Sequence, residues 1–398
     1  MKRLRIFNSL TGKKELFQSD TGRVGVYVCG VTPYDVTHLG HAFTYTFFDV
    51  VVRYLRYLGY RLTYVQNLTD IDDDILNKAK QEGKNWKQVV EENTREYLDD
   101  MRWLNNLQPD VYPRATDHIE DMIKIGVELQ KKGKAYEKNG CVYFNIDSDE
   151  EYGKLSKLSA RKMLPIANER GNNPDDPNKR DPLDFVLWQA TKPGEPFWQS
   201  PWGEGRPGWH IECCAISMKY LGNTIDIHGG GRDLIFPHHE NSLAQSESAT
   251  GRQFVRYWMH TAMVRHRGEK MSKSLGNLVL LNDLRKKYDV NAIRMSLLSH
   301  HYRSTWAFSE KDLRNAEKEN GLFKKIWLAQ SRTGTPLHMS DCARGFFDAM
   351  NDDLNTPLAI EILRKLAVRI LESEDRDVLE AKTFLNRAFN ILGLVVEY

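Results

Sequence analysis

The chain has 398 residues, of which 41% are hydrophobic and 28% are charged, and its formal net charge is +2. This length predicts two or three domains, and the near balance of charges argues against a strongly basic nucleic-acid-binding face. No run of about twenty apolar residues and no secretory signal is present, so we expect no membrane span. Five cysteines, with Cys213 and Cys214 adjacent, do not resemble a disulfide framework. We therefore expect a cytoplasmic protein.

Apolar runs alternate with helical periodicity up to about residue 110. The pattern predicts strands at residues 24–28 and 62–65 and helices at 42–58 and 86–104. This βαβ order is typical of a parallel sheet.

Residues from about 112 to 200 have a different pattern. We predict a helix at 117–132, a hairpin at 135–145 and a turn-rich polar loop at 168–182. We interpret this segment as an insertion between two halves of a nucleotide-binding fold, the second of which resumes near Gly208.

The pattern is helical after residue 310. The predicted helices cover residues 310–329, 342–350, 356–373 and 377–392. The predicted fold is α/β: a doubly wound nucleotide-binding domain with an insertion, followed by an α-helical C-terminal domain. The predicted boundaries are 1–265 with the insertion at about 112–200, 266–310 for a connecting region, and 311–398 for the helices, with no anticodon-binding module.

Two short motifs suggest chemistry on phosphates. The first, THLGH at residues 37–41, follows a strand and a turn and opens a helix, a place that suits an anion. The second, KMSKS at 270–274, is a basic and hydroxyl-rich loop between Gly268 and Gly276. Imidazoles on one side and ammonium groups on the other suit phosphoryl or adenylyl transfer, because stabilising charge on the phosphates lowers the barrier.

Together these motifs resemble the HIGH and KMSKS signatures of the class I aminoacyl-tRNA synthetase superfamily. The resemblance implies that His38, His41, Lys270 and Lys273 are catalytic and stabilise the transition state. The alternative is that the histidines are surface residues and the lysine loop is merely solvated, but two motifs in order at a domain-sized separation disfavour it.

Three further residues suit a zinc site. Cys29 ends the first strand, Cys213 lies in the segment GWHIEC and His238 lies in FPHHEN. Two thiolates and an imidazole gathered at the ends of parallel strands are typical Zn²⁺ ligands. Cys29 considered alone is more typical of a buried core residue.

Much of the chain, densely from residue 20 to about 310, resembles the cysteine-activating branch of these enzymes. The resemblance implies one Zn²⁺ per chain that binds the substrate thiolate, and ATP with Mg²⁺ as a substrate. A soft metal–thiolate bond separates cysteine from serine, which a pocket alone distinguishes poorly.

The resemblance also implies the remaining substrate contacts. The nucleotide would be contacted by Gly40, His228, Gly229, Gly230, Gly231 and Asp233, the last at the ribose. The cysteine pocket would be lined by Gly30, Thr32, Thr69 and Trp209. Simple core packing is the alternative for Trp209, and we expect Asp70, Asp72 and Asp73 to cap a helix rather than bind a metal.

The branch has two members, cysteinyl-tRNA synthetase and the mycothiol cysteine ligase, which joins cysteine to the amine of glucosaminyl-inositol. Four features favour the ligase: Ser242 where synthetases usually have glutamate, the order Thr-Pro-Tyr-Asp at 32–35, Gln66 in place of arginine, and the end of the sequence at Tyr398. We therefore predict an amino-sugar acceptor, with tRNA as the alternative acceptor, and a monomer or homodimer. A non-catalytic paralogue is a third possibility that the intact motifs disfavour.

Overall fold

The computed structural model describes residues 3–34, 36–271, 275–328, 334–373 and 376–396. The fold is α/β, as predicted. The strands are β1 (Arg5–Asn8), β2 (Lys13–Leu16), β3 (Arg23–Val31), β4 (Arg61–Leu68), β5 (Ala135–Lys138), β6 (Cys141–Phe144), β7 (Phe185–Ala190), β8 (Gly205–Pro207), β9 (Ile225–Gly231), β10 (Val255–Thr261), β11 (Val264–His266), β12 (Glu269–Lys270) and β13 (Trp306–Ala307).

The helices follow the predicted alternation in the first part of the chain and then dominate it. They are α1 (Leu39–Tyr57), α2 (Asp73–Glu82), α3 (Trp86–Trp103), α4 (Ile119–Lys131), α5 (Ala160–Asn168), α6 (Trp209–Leu221), α7 (Glu240–Thr250), α8 (Leu281–Arg285), α9 (Val290–Leu298), α10 (Glu310–Leu328), α11 (Ser340–Asn351), α12 (Thr356–Leu371) and α13 (Leu379–Leu392). None of these described helices is both long and apolar enough to cross a membrane.

The central sheet is parallel, with strand order β10-β9-β3-β4. Its middle strand β3 is apolar on both faces, as expected for a parallel strand covered on both sides. Helix α1 packs its buried side on this sheet, where the Phe48 ring lies against Gly229, and Leu221 of α6 lies against Gly25. The sheet and its helices bring the carboxyl ends of β3 and β9 to one edge.

An irregularity in β3 shapes that edge. The pairing of β3 with β4 changes register between Val28 and Val31, on either side of Cys29 and Gly30. A Cβ atom at Gly30 would lie 1.6 Å from the backbone oxygen of Asn67, so only glycine allows this approach of the two strands. The irregularity changes the direction of the strand and thereby sets the orientation of Cys29 near the end of β3.

The insertion has a core of its own. Strands β5 to β8 form an antiparallel sheet, and Val142, Phe144, Phe185 and Trp188 pack in a cluster under α4. The predicted hairpin at 135–145 is confirmed as β5 and β6, and the polar segment between α5 and β7 contains no helix or strand. The sequence analysis did not predict β7, β8 or the β1–β2 hairpin.

Helices α10 to α13 form the C-terminal part, and the four predicted helices are confirmed with ends that move by one or two residues. The domain boundaries given above stay predictions. A buried arginine joins this part to α1, because Arg294 of α9 donates to Asp49 of α1 at 2.6 Å and to the backbone oxygen of Leu392 of α13 at 2.7 Å.

Candidate active site

A cleft of about 300 Å³ opens at the carboxyl edge of the central sheet. Most of the predicted site residues line it: Cys29, Gly30, Thr32, His38, Gly40, His41, Thr69, Trp209, Cys213, Gly231, Asp233 and His238. They come from four separated segments of the chain, so the topology is what brings them together.

The start of α1 supplies one wall of the cleft. His38 caps the helix, and its Nδ1 accepts from the backbone N–H groups of Gly40 at 3.1 Å and His41 at 3.4 Å. The two imidazole rings stack with centroids 3.8 Å apart. A Cβ atom at Gly40 would lie 2.9 Å from the His38 ring, so glycine is required between the two histidines.

This cap changes how the wall can bind an anion. The sequence analysis expected the start of this helix to suit an anion, but the backbone N–H groups of Gly40 and His41 already donate to His38. Since Nδ1 of His38 accepts, its ring proton is on Nε2. Burial, with a smaller contribution from His38, lowers the pKa of His41 well below its ordinary value. The His41 ring is therefore neutral near pH 7, and each of the two rings has an N–H group that can donate.

The two cysteines and His238 meet at the base of the cleft. The Sγ atoms of Cys29 and Cys213 lie 3.5 Å apart, and Nε2 of His238 is 3.2 Å from Cys213 Sγ. All three residues are buried, and their donor atoms lie within 4.8 Å of one another.

The environment favours one thiolate in this pair. Burial opposes ionisation of Cys213, but hydrogen bonding with Cys29 and the adjacent His238 outweigh burial and bring the pKa of Cys213 well below its ordinary value. Burial raises the pKa of Cys29 well above its ordinary value. Two thiolates this close repel each other, so in the absence of a cation one sulfur keeps its proton. A bound metal cation would stabilise both thiolates.

Ser242 does not contribute to this cluster. It is fully buried on α7, and its Oγ donates to the backbone oxygens of His238 at 2.9 Å and His210 at 3.3 Å. The hydroxyl is thus engaged with the backbone, as the sequence-based prediction of three protein ligands requires.

A polar network that the sequence analysis did not predict supports the cysteine side of the cleft. The side-chain oxygen of Asn67 accepts from the backbone N–H of Gly30 at 2.8 Å, and its amide donates to Thr69 at 3.2 Å. Thr69 in turn donates to the buried carboxyl group of Glu212 at 2.7 Å, and burial raises the pKa of that carboxyl group well above its ordinary value. The ring of Trp209 stacks on His238 at 4.6 Å. Thr69 and Trp209 are therefore held in fixed positions at the cleft.

Three predicted nucleotide contacts lie elsewhere among the described residues. His228 is completely buried and stacks on Tyr27 with centroids 4.9 Å apart. A Cβ atom at Gly229 would lie 2.3 Å from the Phe48 ring, and one at Gly230 would lie 3.0 Å from the His239 ring. Close packing therefore accounts for glycine at 229 and 230, whereas Gly231 and Asp233 line the cleft.

The second motif is only partly described. Lys270 ends β12, which pairs with β11, but its side chain and the whole of Lys273 lie outside the described residues. Met271, next to them, is buried.

Comparison with known proteins identifies the family. Residues 15–318 match the family described as tRNA synthetases class I (C) catalytic domain, and residues 345–397 match the DALR domain. A cysteine–tRNA ligase of Idiomarina loihiensis is 47% identical over 92% of this chain and 80% of its own length. The chain belongs to the class I cysteine–tRNA ligase family. It is an ATP-dependent, AMP-forming ligase that activates cysteine.

A second relative agrees with this assignment, and a solved structure shares the fold. A cysteine–tRNA ligase of Thermococcus onnurineus is 43% identical over 99% of this chain and 87% of its own length. The fold is similar to that of Mycobacterium tuberculosis methionyl-tRNA synthetase, with a TM-score of 0.68 and 15% identity over 93% of this chain and 88% of that one. The relatives support the tRNA alternative better than the amino-sugar acceptor that the sequence analysis preferred, and closeness to the mycothiol ligase is not shown.

Proposed function

We propose that this protein is a cysteine–tRNA ligase, which forms cysteinyl-adenylate from cysteine and ATP and transfers the cysteine to tRNA. The observation that carries the proposal is the cleft in which the Cys29, Cys213 and His238 cluster lies with the paired imidazoles of His38 and His41. Relatives at 43 to 47% identity that are cysteine–tRNA ligases support tRNA as the acceptor.

We propose that Cys29, Cys213 and His238 hold a Zn²⁺ ion. Two sulfurs and one imidazole nitrogen, all buried and within 4.8 Å of one another, form a donor set that zinc prefers. When bound, the ion would supply a soft Lewis acid that prefers a thiolate to a hydroxyl, which is the difference between cysteine and serine. Because Ser242 is engaged with the backbone, the protein provides three ligands.

The other residues of the cleft bind and orient the substrates. The fixed Thr69 and Trp209 would line the cysteine pocket together with Gly30 and Thr32. The N–H groups of His38 and His41 would donate to the phosphates of ATP, which enters with Mg²⁺, as negative charge builds up during attack by the cysteine carboxylate. Gly40, Gly231 and Asp233 would contact the nucleotide.

The roles proposed for two lysines rest on the sequence motif alone. By resemblance, Lys270 and Lys273 would close on the pyrophosphate that leaves. A hydroxyl group of the tRNA then attacks the adenylate carbonyl, and AMP is released.

A panel of acceptors tests the proposal. The protein is incubated with ATP, radiolabelled cysteine and either total tRNA or glucosaminyl-inositol, and acid-precipitable label and AMP are measured. We expect labelled tRNA and no response to the amino sugar. Product with the amino sugar alone would overturn the tRNA assignment while leaving adenylation intact.

A matched pair of cysteines tests the metal. Cys213→Ser should lose both zinc, measured by mass spectrometry, and cysteine-dependent ATP–pyrophosphate exchange. The adjacent Cys214 lies 2.8 Å from Ser246, away from the cluster, so Cys214→Ser should keep both. Equal zinc contents in the two variants would contradict the ligand set.

A further inference from the structure

A second group of metal-binding side chains lies behind the first. Cys29 Sγ is 3.0 Å from Nε2 of His239 and 4.0 Å from Nε2 of His228. These three donor atoms lie within 4.8 Å of one another, and all three residues are buried. Neither histidine is among the residues that line the cleft, and the proposed activity uses neither.

We propose that Cys29, His228 and His239 form a second metal site, which takes a soft or borderline ion such as Zn²⁺, Cd²⁺ or Cu⁺ and shares Cys29 with the first site. In a tetrahedral zinc site the sulfur and nitrogen ligands lie about 3.5 Å apart. The two sulfur–nitrogen distances of 3.0 and 4.0 Å fall on either side of that value, so small movements suffice to admit an ion.

The histidines are prepared to act as ligands. Both rings are buried, and each places Nε2 near Cys29 Sγ. The remaining nitrogen of His239, Nδ1, lies 2.8 Å from Nε2 of His260, whose Nδ1 lies 2.7 Å from Ser9 Oγ. Such an outer hydrogen bond orients a ligating histidine.

Packing holds the other ring in place. His228 is stacked on Tyr27 and meets Trp258 edge to face with centroids 4.6 Å apart. Its Nδ1 has no hydrogen-bond partner within the described part of the chain, so Nε2, near Cys29, is its engaged nitrogen.

The shared cysteine predicts how the two sites fill. Cys29 lines the cleft, so an ion that enters the cleft can reach its sulfur. A thiolate has enough lone pairs to bridge two ions. One ion should therefore bind Cys29, Cys213 and His238 when metal is limiting, and a second should bind beside it when a soft metal is in excess.

Titration of the whole metal-free protein with Cd²⁺, followed by native mass spectrometry after desalting, tests this proposal. We expect one Cd²⁺ per chain at one equivalent and two in excess. His228→Gln and His239→Gln should each stop at one. His300→Gln, which changes a histidine that stacks on Trp306 outside this cluster, should still bind two. A wild type that stops at one, or two ions in both cluster variants, would overturn the proposal.

Cadmium-113 NMR of the wild type provides a readout that does not depend on a variant folding. Two resonances are expected in excess metal, the first typical of two sulfur ligands and the second of one. A single resonance in excess metal would refute the second site. The proposed function is tested separately, because the first equivalent and cysteine-dependent exchange depend on Cys213 and His238.

Discussion

His41 is the single side chain whose removal most directly tests the proposed adenylation chemistry. Its neutral ring stacks on His38 at the cleft wall, where charge on the phosphates would develop. We expect His41→Ala to lower the rate of cysteine-dependent ATP–pyrophosphate exchange on the order of a hundredfold, as the loss of a transition-state donor does. Zinc content should stay normal. His338→Ala, at an exposed position, is the control, and equal rates for both variants would exclude the role.

Asp72 allows a prediction about stability and pH. It caps α2 by accepting from the backbone N–H of Asp74 at 2.8 Å, as the sequence analysis expected. Burial, together with the nearby Asp74 and Asp73, raises its pKa from 3.8 to about 6. The folded protein therefore holds this proton more tightly than the unfolded chain, and the unfolding free energy falls as the pH rises from about 4 to about 6.

Asp72→Asn should remove that cost and keep the cap, because asparagine also caps helices well. We expect the variant to be more stable than the wild type by about 1 to 2 kcal/mol at pH 7.5, with the difference vanishing towards pH 4. Urea unfolding at several pH values measures it. Asp175→Asn, at an exposed position in the polar loop far along the chain, should change stability by less than about 0.5 kcal/mol. A variant less stable than the wild type at pH 7.5 would show that the carboxylate is favourable where it lies.

Helices and strands with a strong hydrophobic periodicity could be predicted from the sequence. Strands that form only because they pair with another strand could not. The apolar run of β3 and the amphipathic pattern of α1 predicted both elements correctly. Strand β3 extends further than predicted, to Val31, because its pairing with β4 continues past the irregularity. The β1–β2 hairpin escaped prediction because its second strand, KKEL, has no apolar alternation. Such a strand forms because a neighbour supplies hydrogen bonds, which the local sequence does not reveal.

The same division applies to the site. Motifs indicated Cys29, Cys213 and His238, which the fold brings together from three segments. They did not indicate Asn67 and Glu212, whose importance lies in hydrogen bonds between distant segments. The run of glycines at 229–231 suggested a nucleotide contact, but Gly229 is required by the ring of Phe48.

A buried ion pair links α9 to α1. Arg294 is fully buried and donates to Asp49, to Asn106 and to the backbone oxygens of Leu104 and Leu392, at 2.6 to 2.7 Å. Arg294→Met leaves the Asp49 carboxylate buried with one fewer partner, so we expect the unfolding free energy to fall by about 3 to 5 kcal/mol.

Urea unfolding followed by tryptophan fluorescence measures this effect. Arg344→Met is the matched control, because Arg344 pairs with Asp341 at a side-chain exposure of 72% for both residues. An exposed pair contributes little, so that variant should stay within about 0.5 kcal/mol of the wild type. Similar losses in the two variants would indicate that burial of the Arg294 pair is not what makes it important.

At the scale of the whole molecule, the two half-reactions should differ in their response to salt. The net charge is only +2, so long-range attraction of a polyanion is weak and tRNA binding must depend on local contacts to its phosphates. Each neutralised phosphate releases counterions, and its contribution to affinity falls as salt rises. By the proposed function, cysteine and ATP instead bind within the cleft of about 300 Å³.

We therefore expect the KM for tRNA in aminoacylation to rise by about tenfold or more between 50 and 200 mM salt, a range over which several phosphate contacts weaken strongly. Cysteine-dependent ATP–pyrophosphate exchange over the same range should change by less than about twofold, because screening acts weakly on buried charges. The two assays use the same enzyme preparation, so each is the other's control. A KM for tRNA that stays flat while exchange is also flat would mean that tRNA is not held through its phosphates.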